Sequence, residues 1–227
     1  DLSRFGREHI MMDYYLEFVF PEKRVRYIAV AENEDTEKGL SDFVPFKNLF
    51  NEWFAKDTSR KVKNSLAAKF EAGERVSAYA PLGYKKHPDV KNKLVIDEET
   101  SWIIRRIYTL AFYGAGAAKI TRTLTQEKVP TPGWLNYQRD GTFANIYRDA
   151  PEEKRYAWTI AQVKSILKDE TYIGNTIHYR ETNISYKNKK RIRKPQSEWM
   201  RVEGTQEAII SKEDFERVQQ QIASRRR

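Results

Sequence analysis

The sequence predicts three parts in order: an α/β fragment, a long connecting helix, and a mixed α+β domain with a helix-turn-helix-like helical core. Three patterns predict it. Near the start, apolar residues at helical spacing precede a near-continuous apolar run, the helix-then-strand order of an α/β tail. An apolar stripe then runs from Phe46 to Phe70 and stops at Gly73. Three short amphipathic segments follow, set among strand-like ones, as in helix-turn-helix arrangements. The boundary falls after residue 72, giving parts at 1–72 and 73–227.

Residues 1–7 read as the end of a strand turning through Gly6. Residues 8–20 place Ile10, Met11, Tyr14, Tyr15, Phe18 and Val19 at helical spacing, and Pro21 stops the helix. Residues 24–30 put Val25, Tyr27 and Ala29 on one face and Ile28 and Val30 on the other, a pattern that predicts a buried strand. Residues 31–43 read as an acidic, mobile loop. Pro45 suits a first helical position. Phe46, Leu49, Phe50, Trp53 and Phe54 then form a wide apolar stripe, which narrows to Val62, Leu66 and Phe70. A helix over residues 46–72 extends about 40 Å. Its first half suits packing on the preceding part or on a partner subunit. Its second half, with Arg60, Lys61, Lys63 and Lys69, suits crossing something anionic, and equally fits an ordinary solvated face.

Residues 73–93 form an extended linker. A short strand at 94–96 follows, and Asp97 caps a helix whose inward residues are Ile103, Ile104, Ile107, Leu110 and Ala111, ending near Gly114. A second helix carries Ile120 and Leu124 and ends before Val129 and Pro130. Residues 135–157 read as an insertion. A third helix begins at Thr159, with Ile160, Val163, Ile166 and Leu167 inward and Gln162, Lys164, Ser165 and Lys168 outward. Strand-like segments at 175–179 and 199–202 flank a basic stretch with Lys187, Lys189, Lys190, Arg191, Arg193 and Lys194. A last helix from Ser211 to about Arg225 has Ser211 and Asp214 in a capping-box relation and buries Phe215, Val218 and Ile222.

The charge points to a partner. Residues 1–60 hold 9 Lys/Arg and 12 Asp/Glu, and residues 61–227 hold 32 and 20, so net charge changes from −3 to +12. A basic module joined to a slightly acidic one suits a polyanion. The 0 cysteines exclude disulfides, thiolate chemistry and Cys-ligated zinc within these residues and fit a cytoplasmic setting. His9, His87 and His178 lack ligand spacing. No apolar run reaches the length of a membrane span. A metal-dependent nuclease would need clustered carboxylates, whereas the acidic residues at 32–37 read as loop.

Taken in order, several segments resemble the large serine recombinases of the resolvase-invertase superfamily. Residues 1–7, Asp-Leu-Ser-Arg-Phe-Gly-Arg, look like an Arg-x-x-Arg motif of the family's catalytic domain. Tyr27-Ile-Ala-Val fits the following strand, and the segment from Asn51 to Val62 looks like the start of the dimerisation helix. Then come Pro81-Leu-Gly-Tyr-Lys-Lys, Leu94-Val-Ile-Asp, Ile104-Arg-Arg-Ile-Tyr, Val129-Pro-Thr-Pro and Trp158-Thr. Tyr172-Ile-Gly-Asn, Glu198-Trp-Met-Arg-Val-Glu-Gly and the segment from Ile210 to Val218 complete the series. Each fragment alone is weak, and their order across nearly the whole chain gives the signal its strength.

The resemblance implies the C-terminal part of a resolvase-like catalytic domain followed by a DNA-binding recombinase domain. It implies site-specific recombination of a mobile element, phage or transposon, with no metal or nucleotide cofactor. A serine attacks the DNA phosphodiester, half-sites are exchanged within a tetramer built from a dimer on each attachment site, and the strands are religated. That serine belongs to a segment upstream of Asp1, so the fragment alone is expected to be inactive. Arg4 and Arg7, with Arg60 as a third candidate, would stabilise phosphoryl charge, since a guanidinium stays protonated and bonds two oxygens at once. Many members carry Asp where Ser3 stands. Large members also continue into a zinc ribbon, which the absence of cysteine places beyond Arg227 if it exists.

DNA contact is expected in three places. The linker residues Arg75, Ser77 and Tyr79 would follow the minor groove. Thr159, Gln162, Lys164, Ser165 and Lys168 of the third helix would face the major groove. Lys189, Lys190 and Arg191 would meet phosphates. The rival reading is a non-catalytic sequence-specific DNA-binding protein or a decayed recombinase fragment. An interaction module using the stripe from Phe46 to Phe54 could coexist with either.

Overall fold

The computed structural model describes residues 9–39, 41 and 44–225, and its architecture is helix-rich α/β. The chain divides into two compact units, one of Asp1–Ala68 with Glu181–Arg193, the other of Lys69–Arg180 with Lys194–Arg227. The strand expected at 1–7 lies outside the described residues.

In the first unit, α1 (His9–Tyr14), a π-helical turn (Tyr15–Val19) and α2 (Phe20–Glu22) form one helical stretch. Pro21 does not stop it at once. A proline ring meets the carbonyl four residues back in an α-helix, and the wider π turn just ahead gives that ring room. The stretch buries Met12 and Leu16 against Ala29 and Val44, with Phe20 and Tyr27 alongside. Ile10, Met11, Tyr14, Tyr15 and Phe18 are exposed.

The strand expected over residues 24–30 shortens to β1 (Ile28–Ala29), paired antiparallel with β2 (Glu34–Asp35). It is covered on one face only: Ala29 is fully buried, while Ile28 is exposed. The acidic loop contains a hairpin whose Glu34 and Asp35 carboxylates are held. Arg26 donates to both carboxylate oxygens of Asp35, at 3.0 and 2.6 Å. That hydrogen bonding pulls the Asp35 carboxyl down to about 2. Glu34 accepts from the Ser41 N–H and from Lys47 Nζ, at 2.9 and 3.1 Å.

Helix α3 (Val44–Glu71) is the expected long connector. Its buried residues are Val44 and the polar Asn48 and Asp57. Asn48 donates to Asp13 at 2.8 Å. Phe46, Leu49, Phe50, Trp53 and Phe54 are all more than half exposed, so the apolar stripe faces away from the described core.

The second unit has one core. It holds the hairpin β3 (Tyr84–Lys86) and β4 (Leu94–Ile96), so the expected linker contains a strand from Tyr84 to Lys86. Gly83, at φ +85°, has to be glycine, because a Cβ there would lie 2.8 Å from Ile209 Cδ1. Four helices close around one another: α4 (Glu98–Phe112), α5 (Ala117–Gln126), α8 (Ile160–Leu167) and α9 (Lys212–Ser224). Between them lie α6 (Pro132–Asp140) and α7 (Ala144–Tyr147). Ile103, Ile104, Ile107, Ile120, Leu124, Val163 and Val218 are each at most 1% exposed. Several buried polar groups are paired. The Tyr108 hydroxyl donates to the Ile166 carbonyl at 3.1 Å, Trp158 Nε1 to Val129 at 2.9 Å, and the Tyr84 hydroxyl to Glu207 at 2.7 Å.

The insertion expected over residues 135–157 is itself structured. Thr131 accepts from the Trp134 N–H and starts α6, and Gly141, in the left-handed conformation, ends it. Tyr137 stacks on Tyr147, Trp134 meets Tyr147 edge-on and lies tilted to Tyr137, and Arg155 lies 4.6 Å over the Trp134 ring. Finally β5 (Thr176–His178) pairs antiparallel with β8 (Met200–Val202), as the two strand-like segments suggested. The basic stretch between them is a further hairpin, β6 (Glu181–Asn183) with β7 (Arg191–Arg193), which belongs to the first unit.

Candidate nucleic-acid interface

Helix α8 is set by its start. Thr159 Oγ1 accepts from the Gln162 N–H at 3.2 Å, and Gln162 Oε1 accepts from the Thr159 N–H at 2.8 Å. This is a complete capping box. The Thr159 hydroxyl also donates to Gln162 Oε1 at 2.9 Å. Val163, Ile166 and Leu167 fix the other face in the core. Lys164, Ser165 and Lys168 are exposed, and Gln162 is half-buried.

Ile160 departs from the expected inward position. It is 44% exposed, and Ala161 beside it is exposed too. Both stand in the first turn of the helix, at the edge of the apolar stripe rather than its centre. The outer face of α8 thus has two rows, Ile160–Lys164–Lys168 and Ala161–Ser165, apolar at the N-terminal end and basic beyond it. Lys119 and Arg122 are exposed on α5, which packs directly on α8. Lys164 and Lys168 also border a cavity of about 240 Å³ that includes Leu167, Val218 and Arg225.

Of the linker residues, Ser77 and Tyr79 are exposed, and the Ser77 hydroxyl donates to the Tyr79 carbonyl at 3.0 Å. They line a groove of about 360 Å³ with Lys86, His87, Lys91 and Lys93. His87, Lys91 and Lys93 sit in the irregular connection between β3 and β4, where no periodicity marks them. The His87 ring is oriented there, since its Nδ1 accepts from the Asp89 and Val90 N–H groups at 3.1 and 3.0 Å.

Arg75 turns inward. Its Nη1 donates to Thr171 Oγ1 at 3.2 Å, and burial pulls its pKa down while the nearby Asp169 opposes that shift. Its Nε is buried without a partner, as are Arg180 Nε and His178 Nε2. Arg180 donates to Asp169 at 3.2 Å, and His178 stacks on Phe70 at 3.8 Å between centroids. A buried polar cluster therefore braces the β5 edge of this unit.

In the first unit, Lys189, Lys190 and Arg191 are exposed on the β6–β7 hairpin, and Arg191 lies 3.7 Å from Glu181. The hairpin tip is tied to α3: the Tyr186 hydroxyl donates to Glu52 at 3.0 Å, and Lys187 Nζ stands 2.9 Å from the same carboxylate. Arg60 is exposed on α3 and bonded to Asp57 at 2.7 Å. Arg4 and Arg7 lie outside the described residues. Among the described residues, no group of carboxylates and imidazoles could hold a metal ion, and no helix is long and apolar enough to cross a membrane.

The family model named Recombinase matches residues 98–225, more than half of the chain. The chain belongs to the Recombinase family. This is the serine recombinase domain that the ordered motifs resemble. The match starts at α4 and runs through α9, so it contains most of the core of the second unit and the whole of α8. Two solved structures are similar as well. One, described as the crystal structure of an LSR–DNA complex, is 18% identical with a TM-score of 0.46, covering 73% of this chain and 38% of that one. The other concerns the sequence requirements of the Listeria innocua prophage attP site. It is 19% identical with a TM-score of 0.46, covering 72% of this chain and 51% of that one. The recombinase described here thus spans about half or less of the chains it matches.

Proposed function

We propose that this recombinase binds double-stranded DNA attachment sites and, as part of a longer protein, carries out site-specific recombination of a mobile element. The observation that carries the reading is the outer face of α8. A short, well-capped helix is anchored by three core residues and turns Lys164, Ser165 and Lys168 outward, inside the segment that matches the family. In this reading α5 and α8 form a helix-turn-helix pair with α8 in the major groove. Ser77 and Tyr79 follow the minor groove, and Lys189, Lys190 and Arg191 add phosphate contacts.

Residues 1–72 are then the end of a resolvase-like catalytic domain with its long helix, and residues 73–227 are the DNA-binding domain. The chemistry needs no outside energy. A serine hydroxyl from the preceding segment attacks phosphorus, the P–O3′ bond breaks, and the 3′-oxygen leaves with a proton. The phosphodiester energy is kept in a 5′-phosphoserine ester until a 3′-hydroxyl of the exchanged strand reverses the step. Arg4, Arg7 and Arg60 stabilise charge on the phosphoryl oxygens, Arg60 by releasing or sharing Asp57. The protein acts in the cytoplasm as a dimer on each site and a tetramer during exchange. The exposed face of α3, Phe46 to Phe54, serves as the dimer contact.

The test uses the intact gene product and DNA spanning the ends of its element. A protein–DNA adduct at 5′ ends, seen on a denaturing gel and lost on Arg4→Ala or Arg7→Ala, is the expected result. Salt-sensitive binding without any adduct on those sites overturns the catalytic part and leaves the DNA-binding part.

A further inference from the structure

We propose that Ile160 is a specificity-determining residue that reads the 5-methyl group of thymine in the major groove, with Ala161 beside it. The inference rests on the DNA-binding reading of α8 and deepens it.

The argument starts from what the helix has already spent. Asparagine or glutamine reads adenine by accepting and donating at once. The Gln162 acceptor oxygen instead takes both the N–H and the hydroxyl of Thr159. The Thr159 hydroxyl, in turn, donates to Gln162 and accepts from its N–H. Breaking either interaction uncaps the helix that carries the face. The two polar side chains best placed at the entry of the helix are therefore committed to holding its shape.

Ile160 and Ala161 remain at that entry. The first residues of a recognition helix are the ones that reach base edges. Ile160, 44% exposed, keeps apolar surface available at that entry, and the basic residues Lys164 and Lys168 along the same row select the occupant. They favour a polyanion over an apolar protein surface. On the major-groove floor, the one apolar feature is the thymine methyl, which apolar side chains contact. Lys164, one turn further, stays available as a donor to a guanine edge or a phosphate.

The experiment begins by selecting bound sequences from a randomised DNA duplex library with the 227-residue chain. Each thymine of the selected site is then replaced singly by deoxyuridine, which removes the methyl and leaves the pairing edge unchanged. Burial of one methyl group predicts a loss of about 4-fold in affinity at one or two positions. Ile160→Ala should bind the thymine site about as weakly as the wild type binds the deoxyuridine site, and should be insensitive to the replacement. Because Ile160 is exposed and outside the capping box, the variant keeps its helix, which circular dichroism checks. A Gln162→Ala variant that loses stability but keeps the thymine dependence agrees with the same assignment. If Ile160→Ala retains the full deoxyuridine penalty, or no thymine is sensitive, the inference is overturned while DNA binding stands. If the chain selects no duplex at all, the DNA-binding reading itself is overturned.

Discussion

Replacing His178 with glutamine should remove one source of acid sensitivity in the second unit. His178 is 9% exposed, stacked on Phe70, and its Nε2 has no partner. Burial, helped by the Arg75 cation, lowers its pKa from the ordinary 6.5 to about 4. The fold therefore holds the neutral imidazole. The unfolded chain takes up a proton near 6.5 and the folded chain only near 4, so between those values the unfolded state binds more protons. The stabilisation is complete above the upper value and is lost as pH falls towards the lower one. At about 1.4 kcal/mol per unit, the whole shift corresponds to roughly 3 kcal/mol, and the part lost between about pH 7 and about pH 5 to roughly 2 kcal/mol. Urea unfolding of the wild type and His178→Gln at those two pH values measures it, since all other titrating groups are common to both. The gap between the two proteins should change by roughly 2 kcal/mol. Nuclear magnetic resonance of the His178 ring gives a direct check. A gap that stays constant, with His178 titrating near its ordinary value, refutes the reasoning.

Three other outcomes are expected. Thr159→Ala removes the cap of α8 and should cost about 1 kcal/mol by denaturant unfolding, without changing the core. Ile107→Ala empties a fully buried site on α4 and should cost about 2–5 kcal/mol, measured the same way. Lys164→Ala should weaken duplex binding and, if Lys164 meets phosphate, lower the slope of log affinity against log salt by about 1, as read by fluorescence anisotropy across a salt series.

The helices of the second unit were legible because their apolar residues recur at one spacing and have one core to enter. Ile103, Ile104 and Ile107 leave little choice of face. Ile160 departs from its expected inward place for the opposite reason. At the first position of an eight-residue helix, a residue at the edge of the stripe has nothing above it to pack on. Tyr84 went unnoticed as a core residue because a Pro-Leu-Gly-Tyr run carries no period. Its burial depends on carbonyls at Thr171 and Glu207, far along the chain. The order in residues 135–157 had a local signal, with Thr131 and Pro132 opening α6 and Gly141 closing it. Periodicity hid it, since aromatic stacking rather than an apolar stripe holds the segment. In the first unit, spacing predicts a helix over residues 8–20 but not which apolar side chains its own chain would cover. Met12 and Leu16 go inward while their apolar neighbours stay out.

The base of the basic hairpin has a consequence for how such a chain can diversify. The Lys194 N–H bonds the Arg180 carbonyl at 3.0 Å, so the two ends of the 181–193 excursion are already clasped to each other. The β5–β8 register is set by its own pairs and asks nothing of what lies between. The excursion is therefore a cassette: it can be shortened to a tight turn, extended, or exchanged for another ribbon while the flanking strands keep their partners. Basic character at that point of the chain can change independently of the helical core, leaving the outer face of α8 as it is.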